Sequence, residues 1–554
     1  MRIDGQAIPG TSKLSLASEI LGRRLGLPVP ETRDVVVHRD IEIPMDDGTI
    51  LLANRYTPRD ERPRPTILVR SPYGRGALFG LIYGRLFAER GFQSVVQSVR
   101  GTFGSGGEFQ PFNERADGLA TIGWIERQPW FDGRLAMAGA SYLGIAQWAV
   151  AHEAGDRLDA LAFSITASQV QGQALGGGPI SLETTVAWTM ILDAQEGRLG
   201  PIGTLGRLRK LPRLVDDLPI GGLDAVATGK SLPFFAEWMA HTRPDDPYWA
   251  ERDFSAGVVE TKAPAQFVGG RYDIFLPWML DDFVTLQNAG RRPQLVIGPW
   301  AHMSPGLLRS GTREALAWLR AHLLGDRSLL HDAPVRVHVG GSRIWREFET
   351  WPPDSQSVRF HLHPGRRLAR KAPDEPADDG YYYDPALPTP SVGGPGLLAN
   401  APVVDNRALE ARADVLAYTT EPLDDDFEAI GPVSVEIWVR SDREHFDLFA
   451  RVCDVLPDGT SLNVCDAIDR ISPDNGGNTT GDPVRVSFEL WPIAHRFAAG
   501  HRIRLQVSSG AHPRYARNTG TGEDIATATR VITSHQQVLH GPEHPSSVVL
   551  PMVD

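Results

Sequence analysis

Three residue types in this chain can together carry out acyl transfer: a serine in a glycine-flanked turn, an aspartate and a histidine. The serine is Ser141, within LAMAGASYLGIAQWAVAHE, where LAMAG has strand character and YLGIAQWAVAHE helical character. A serine at a sharp strand-to-helix junction projects its Oγ from the top of a sheet at a helix amino terminus, the geometry of a nucleophile elbow. So tight a turn requires neighbours without side chains. Gly139 and Gly144 meet that need, although the second glycine falls one place later than in the five-residue pattern G-x-S-x-G.

A serine alone is a weak nucleophile; it needs a base, and the base needs an orienting acid. On an elbow of this kind the order along the chain is serine, acid, histidine, each on a loop after a strand. GGRYDIF follows the strand AQFV and puts Asp273 at its carboxyl end; GPWAHM follows QLVI and puts His302 at the end of the next strand. Acyl transfer also needs donors for the oxyanion. One is the backbone N–H of Tyr142. The other is expected from the loop after the third strand, RSPYGRG, where Tyr73 offers a phenolic hydroxyl. From the residues alone, an aromatic filling a turn is the plainer account of Tyr73.

The elements that must position these groups are legible as textures. From about residue 34 to 165, apolar runs (TILVRSPY, SVVQSVRG, LAMAGAS, LDALAFSIT) alternate with helical stretches such as LIYGRLFAERG and GLATIGWIERQ. This alternation predicts an α/β unit with a parallel sheet covered by helices on both faces. It resumes at APAQFVGGRYD and RPQLVIGPWAH and closes with the helix EALAWLRAHLLG. In between, AWTMILDAQEGRLG and PFFAEWMAHT look helical with glycine and proline breaks, which predicts a helical cap inserted into the unit. Beyond about residue 333, segments such as PVRVHVGG, VSVEIWVRS and HRIRLQVSS alternate polar and apolar residues, the period of an all-β sandwich or jelly roll. The expected division is therefore 34–167 and 256–328 for the α/β domain, 168–255 for the cap and 333–554 for the β domain.

The bulk properties fit that picture. A chain of 554 residues exceeds one hydrophobic core. A formal charge of -12 and the lack of a basic run argue against nucleic acid as a partner. No apolar stretch approaches the ~18 residues of a membrane span. The amino terminus MRIDGQAIPGTSKLSLASEILGRRLG lacks the apolar core of a signal peptide, so a cytoplasmic enzyme is expected. The two cysteines, Cys453 and Cys465, flank VLPDGTSLNV, a hairpin with an Asp458-Gly459 turn, and are expected as buried reduced thiols.

Other motifs carry less. VRGTFGSGGEF is glycine-rich after a strand, but it lacks the Lys-Ser/Thr of a phosphate loop, and Glu108 would repel a phosphate. It is expected as a tight turn packed near the elbow. HLH at 361–363 offers two imidazoles on one strand face without a third ligand. LDDDF at 423–427 is expected as a solvated turn, and His152 as a packing or surface residue of the helix after Ser141. No metal or cofactor is called for.

SPYGRG, VRGTFGSGGEF, TIGWIERQPWFDGRLAMAGASYLG, GGRYD and GPWAH, in this order, resemble the cocaine esterase/NonD hydrolase family, which is related to X-prolyl dipeptidyl-peptidases and α-amino acid ester hydrolases. PVRVHVGGSRIWREFETWPP and RIRLQVSSGAHPRY extend the resemblance into that family's jelly-roll domain. The family's elbow is G-x-S-Y-x-G, which residues 139–144 match. The resemblance implies an α/β-hydrolase fold with a cap and a jelly-roll domain. It implies Ser141 as nucleophile, His302 as base and Asp273 as acid, with the Tyr73 hydroxyl and the Tyr142 amide as oxyanion donors. It implies a small-molecule ester or amide as substrate and leaves the oligomeric state open, a homodimer included.

Three branches compete for the substrate. Amino acid ester hydrolases carry acidic residues two and three places after the triad aspartate, where this chain has Phe275 and Leu276, an apolar pair unable to hold an ammonium. X-prolyl dipeptidyl-peptidases usually have a large extra amino-terminal region, whereas TILVRSPY begins here at residue 66. An esterase for an apolar or aromatic acyl group fits best, with Phe275 as a candidate for the acyl pocket or for core packing. The peptidase branch, and a non-catalytic binding protein on the same scaffold, remain the alternatives.

Overall fold

A computed structural model describes residues 12–553 apart from 177, 198–199, 244, 400 and 476–479. The chain forms two compact units. The first runs to Val170 and resumes over Pro247–Gly270 and Trp278–Val335; the second takes Gln171–Asp246, Arg271–Pro277 and Arg336 onward.

The first unit is built on strands β1 (Val35–Pro44), β2 (Ile50–Pro58), β3 (Arg64–Ser71), β4 (Gln93–Ser98), β5 (Phe131–Ala140), β6 (Ala160–Ser164), β7 (Ala265–Tyr272) and β8 (Gln294–Ala301), hydrogen-bonded in the order β1-β2-β4-β3-β5-β6-β7-β8. The pairs β4/β3, β3/β5, β5/β6 and β6/β7 are parallel, as expected. The β1/β2 and β2/β4 pairs are antiparallel, so the sheet is mixed. The antiparallel edge was not foreseen because β1, VVVHRDIEIP, mixes apolar and charged residues and lies partly open to water. Inner strands read as unbroken apolar runs because helices cover both of their faces. All residues of β4, β6 and β7 are buried.

The helix Tyr142–Ala154 leaves β5 at Ser141 and is buried on nearly every side. Its Trp148 stacks on Phe163 of β6 at 4.1 Å, and Phe163 on Phe267 of β7 at 5.2 Å. Those aromatic contacts fix the helix over the sheet centre and so fix the turn that precedes it.

The second unit carries an eleven-stranded sheet among the described residues, mostly antiparallel, between Gln356 and Met552. Along Phe427–Ser441 buried and half-open positions alternate, the period of a sheet with one covered face. Strands Phe446–Val455 and Ser461–Ile471 pair as the expected hairpin. Its turn holds Gly459 at φ +87, with the Thr460 N–H donating to Asp458 Oδ1 at 2.9 Å. Cys453 and Cys465 are free thiols, both buried. Gln171–Asp246, which groups with this unit, is helical over Leu182–Gln195, Leu223–Thr228 and Pro233–Ala240.

Candidate active site

The first requirement is the turn. Ser141 sits at φ 58, ψ −125, between β5 and the helix it starts. This backbone region is sparsely populated for residues with a Cβ and costs about 1–3 kcal/mol, so the surroundings must over-determine it. The Ser141 N–H donates to Ser164 O on β6 at 2.9 Å, and its carbonyl accepts from the N–H groups of Gly144 and Ile145 at 2.8 and 3.1 Å. The two glycines then have distinct tasks. A Cβ on Gly139 would lie 2.4 Å from the Leu143 Cβ, and one on Gly144 would lie 2.4 Å from Thr166 Cγ2. Gly144 is where the helix meets the loop after β6, which accounts for its late place in the pattern.

His302 follows β8 directly and is buried, with its Nε2 3.2 Å from Ser141 Oγ. The structure thus brings together two of the residues singled out from the sequence. Asp273 follows β7 directly and is 1% exposed; its Oδ1 accepts the N–H of Phe275 at 2.9 Å. The Phe275 ring is also buried. The backbone of this candidate pocket residue therefore orients the carboxylate of the candidate acid.

Tyr73 lies two residues beyond β3, half-buried, its own N–H donating to Ser71 Oγ at 3.0 Å. Its ring stacks on Phe79 at 5.5 Å and meets the Tyr142 ring edge-on at 6.4 Å. The residues that supply the two candidate oxyanion donors are therefore neighbours. His152 is exposed, 3.5 Å from Glu260, and stands apart from this cluster as a surface residue.

Sequence reasoning missed what lies beneath the elbow. The Tyr142 hydroxyl donates to Glu114 Oε1 at 2.6 Å and accepts from the Phe112 N–H at 2.9 Å. Glu114 Oε2 is 2.7 Å from Nη1 of Arg70, which is fully buried on β3. Burial holds the Glu114 carboxyl above the usual glutamate range, although Arg70 pulls against it. Burial also raises the Tyr142 phenol far above the usual tyrosine range, with Glu114 adding to the shift. A signal was present: an arginine inside the apolar run TILVRS must find an anion once the strand is buried. Its partner, 44 residues away, was not legible.

The glycine-rich stretch after β4 packs where a tight turn near the elbow was expected. Phe109 and Phe112 place their rings 6.2 and 5.0 Å from that of Tyr142. Among the described residues no group of three or more His, Cys, Asp or Glu side chains is arranged to hold a metal ion. Nor is any described helix long and apolar enough to cross a membrane.

A mixed sheet with a serine on a strained turn at its centre, followed in the chain by a mostly antiparallel β sheet, defines an α/β hydrolase. Residues 47–304 match the sequence profile described as X-Pro dipeptidyl-peptidase (S15 family), and residues 330–549 match that of the X-Pro dipeptidyl-peptidase C-terminal non-catalytic domain. The chain is 31% identical to the cocaine esterase of Rhodococcus sp. (strain MB1 Bresler) over 93% of its own length and 98% of that protein. Two solved structures share the fold. A selenomethionine-labelled α-amino acid ester hydrolase superposes with a TM-score of 0.77 at 22% identity, covering 94% of this chain and 97% of that one. An aminopeptidase from the marine sediment archaeon Thaumarchaeota archaeon gives 0.77 at 21%, covering 93% and 96%. The protein belongs to the cocaine esterase/NonD hydrolase family and is a serine hydrolase.

Proposed function

We propose that this enzyme cleaves carboxylic esters of small molecules through an acyl-enzyme on Ser141, with His302 as general base and Asp273 as its acid. The observation that carries the proposal is the strained Ser141 backbone together with its Oγ 3.2 Å from His302 Nε2. His302 takes the Ser141 proton as Oγ attacks the acyl carbon. Asp273 holds the imidazole in the required tautomer and stabilises the imidazolium. The Tyr142 backbone N–H and the Tyr73 hydroxyl receive the oxyanion, each such donor being worth about 10²–10³ in rate. His302 then returns the proton to the leaving alcohol, and water repeats the sequence on the acyl-enzyme to release the acid.

An apolar or aromatic acyl group is the substrate class that fits. Phe275 and Leu276 supply no charge for an ammonium group, and both are buried. In this proposal residues 168–255 form the helical cap, and residues 333–554 form a β domain of jelly-roll topology. The profile match named for X-Pro dipeptidyl-peptidases favours a second activity, amide cleavage after an X-Pro pair.

Initial rates on 4-nitrophenyl acetate, butyrate and benzoate, beside an X-Pro 4-nitroanilide, separate the two. Ester turnover that vanishes in Ser141→Ala, with little anilide cleavage, supports the esterase. Preferred anilide cleavage moves the enzyme to the peptidase branch, and equal rates in wild type and variant remove Ser141 from the chemistry.

A further inference from the structure

The Ser141 turn and the Tyr142 side chain raise a question of cost. A buried carboxylate and a buried guanidinium can satisfy one another, yet Glu114 spends its second oxygen on the hydroxyl of the residue next to the nucleophile. We propose that Glu114 is a positioning residue of the oxyanion site: held by Arg70, it fixes the Tyr142 phenol and thereby the direction of the Tyr142 backbone N–H. The inference rests on the Ser141 mechanism above and adds a residue to it.

The restraint on Tyr142 is threefold. Its hydroxyl is both donor, to Glu114, and acceptor, from Phe112. Its ring stacks on Phe112 with an interplanar angle of 30°. Phe112 is itself held at φ 67, a costly conformation for a phenylalanine, and its N–H is the group that meets the Tyr142 oxygen. A side chain pinned at its far end and along its face leaves its own backbone little freedom to rotate. Backbone rotation at residue 142 is the motion that would turn the amide away from a developing oxyanion.

The same network reaches the other donor. Arg70 lies on β3 three residues before Tyr73 and also donates Nε to Gln97 Oε1 at 2.7 Å and Nη1 to the Glu114 carbonyl at 2.8 Å. One guanidinium therefore anchors both the strand that launches Tyr73 and the carboxylate that holds Tyr142. Behind it, Asp117 Oδ2 stands 4.0 Å from Arg70 Nη2 and is paired with Arg100 at 3.0 and 2.6 Å. Arg100 in turn pairs with Asp47 at 2.7 Å, so the cluster is held together as one chain of ion pairs. Oxyanion donors act only within about 2.7–3.1 Å of the oxygen, and a displacement near 1 Å costs on the order of 10² in rate.

The test uses Tyr142→Phe and Glu114→Gln in the full-length enzyme, with 4-nitrophenyl acetate as substrate and phenylboronic acid as a tetrahedral mimic. Phenylalanine retains the ring stack on Phe112, and glutamine retains the shape of Glu114. Each variant is expected to lose about 10- to 100-fold in kcat with little change in KM, the signature of an interaction made in the transition state. Boronate affinity should fall in parallel. The double variant should lose no more than Tyr142→Phe alone, because Glu114→Gln acts through the hydroxyl that Tyr142→Phe removes. Unchanged kcat and boronate affinity with a lowered melting temperature would leave Glu114 a scaffold residue and overturn the inference, as would fully additive losses. Ser141→Ala, run in parallel, keeps the two claims apart. An active Ser141→Ala enzyme sinks the mechanism itself; a silent one beside unaffected Glu114→Gln sinks only the positioning role.

Discussion

Each unit of the molecule buries an arginine–carboxylate cluster, and the two clusters are put to different use. In the first unit Arg70 and Glu114 are 0% and 3% exposed, and the carboxylate continues into the phenol beside a residue at φ 58. In the second, Asp466, 1% exposed, is gripped by both Arg451 and Arg514. Arg451 also donates to the Asn406 side chain at 2.7 Å and to the Val392 carbonyl, which ties Val392 and Asn406 to the sheet. Burial of charge alone therefore does not mark a site. What distinguishes the first cluster is that it ends on a strained backbone, whereas the second ends on loops.

That distinction breaks if the two clusters respond alike to mutation. The largest effect should come at the strained end itself. Ser141→Ala is expected to reduce ester turnover by at least about 10³-fold with an unchanged melting temperature, read from rates and thermal unfolding side by side. A loss of activity accompanied by unfolding would show that the elbow was holding the sheet together.

Next comes the loop-ending cluster. Asp466→Ala strands two buried guanidinium groups and should destabilise the protein by about 3–5 kcal/mol in denaturant unfolding, while the folded enzyme keeps its kcat. If kcat falls and stability does not, the comparison is the wrong way round.

A third buried acid sharpens the contrast, because no cation among the described residues pairs with it. Asp282 receives the N–H and hydroxyl of Ser168 at 2.8 and 2.5 Å, and burial pushes its carboxyl up to about 8, with Asp281 and Asp253 adding to the rise. Its folded value exceeds its unfolded one, so the unfolded chain loses this proton first as pH rises. Stability attached to Asp282 is therefore full below about pH 4 and drains away between there and about pH 8. Asparagine can accept the Ser168 N–H through its oxygen and donate its NH2 to the Ser168 hydroxyl oxygen, keeping two hydrogen bonds without a charge. Asp282→Asn should unfold later than wild type at pH 8 and show little difference at pH 4; a constant difference across that range would refute the assignment.

The smallest effect concerns the second unit's thiols. Burial raises Cys453 to about 12, and Gln506 Nε2 approaches its sulfur at 3.3 Å. The native protein should resist a thiol reagent such as Ellman's for hours at pH 8, and react at both Cys453 and Cys465 once unfolded.

How much of this was readable beforehand follows from the range of the interactions. β3 to β7 were legible because a buried parallel strand must be an apolar run, and the serine turn because its glycines lie within three residues of it. The order Ser141, Asp273, His302 followed from where β5, β7 and β8 end. The reason for Gly144 was not legible, since it depends on Thr166, which the fold brings in from the next strand's loop. Glu114 was hidden for the same reason: its partners at 70 and 142 come from two different strands' ends. The helical character of Gln171–Asp246 was visible in the sequence, but its grouping with the second unit was not, because it depends on contacts across hundreds of residues.

The positive φ of Ser141 has a consequence for the history of such a chain. Glycine adopts that conformation without strain, so by local energetics alone the fold would gain from replacing the serine proposed as its nucleophile. Only selection for turnover opposes that exchange. In a lineage where the substrate disappears, this position is the one where drift and thermodynamics pull in the same direction, and a scaffold outliving its chemistry would be recognised by a glycine at 141.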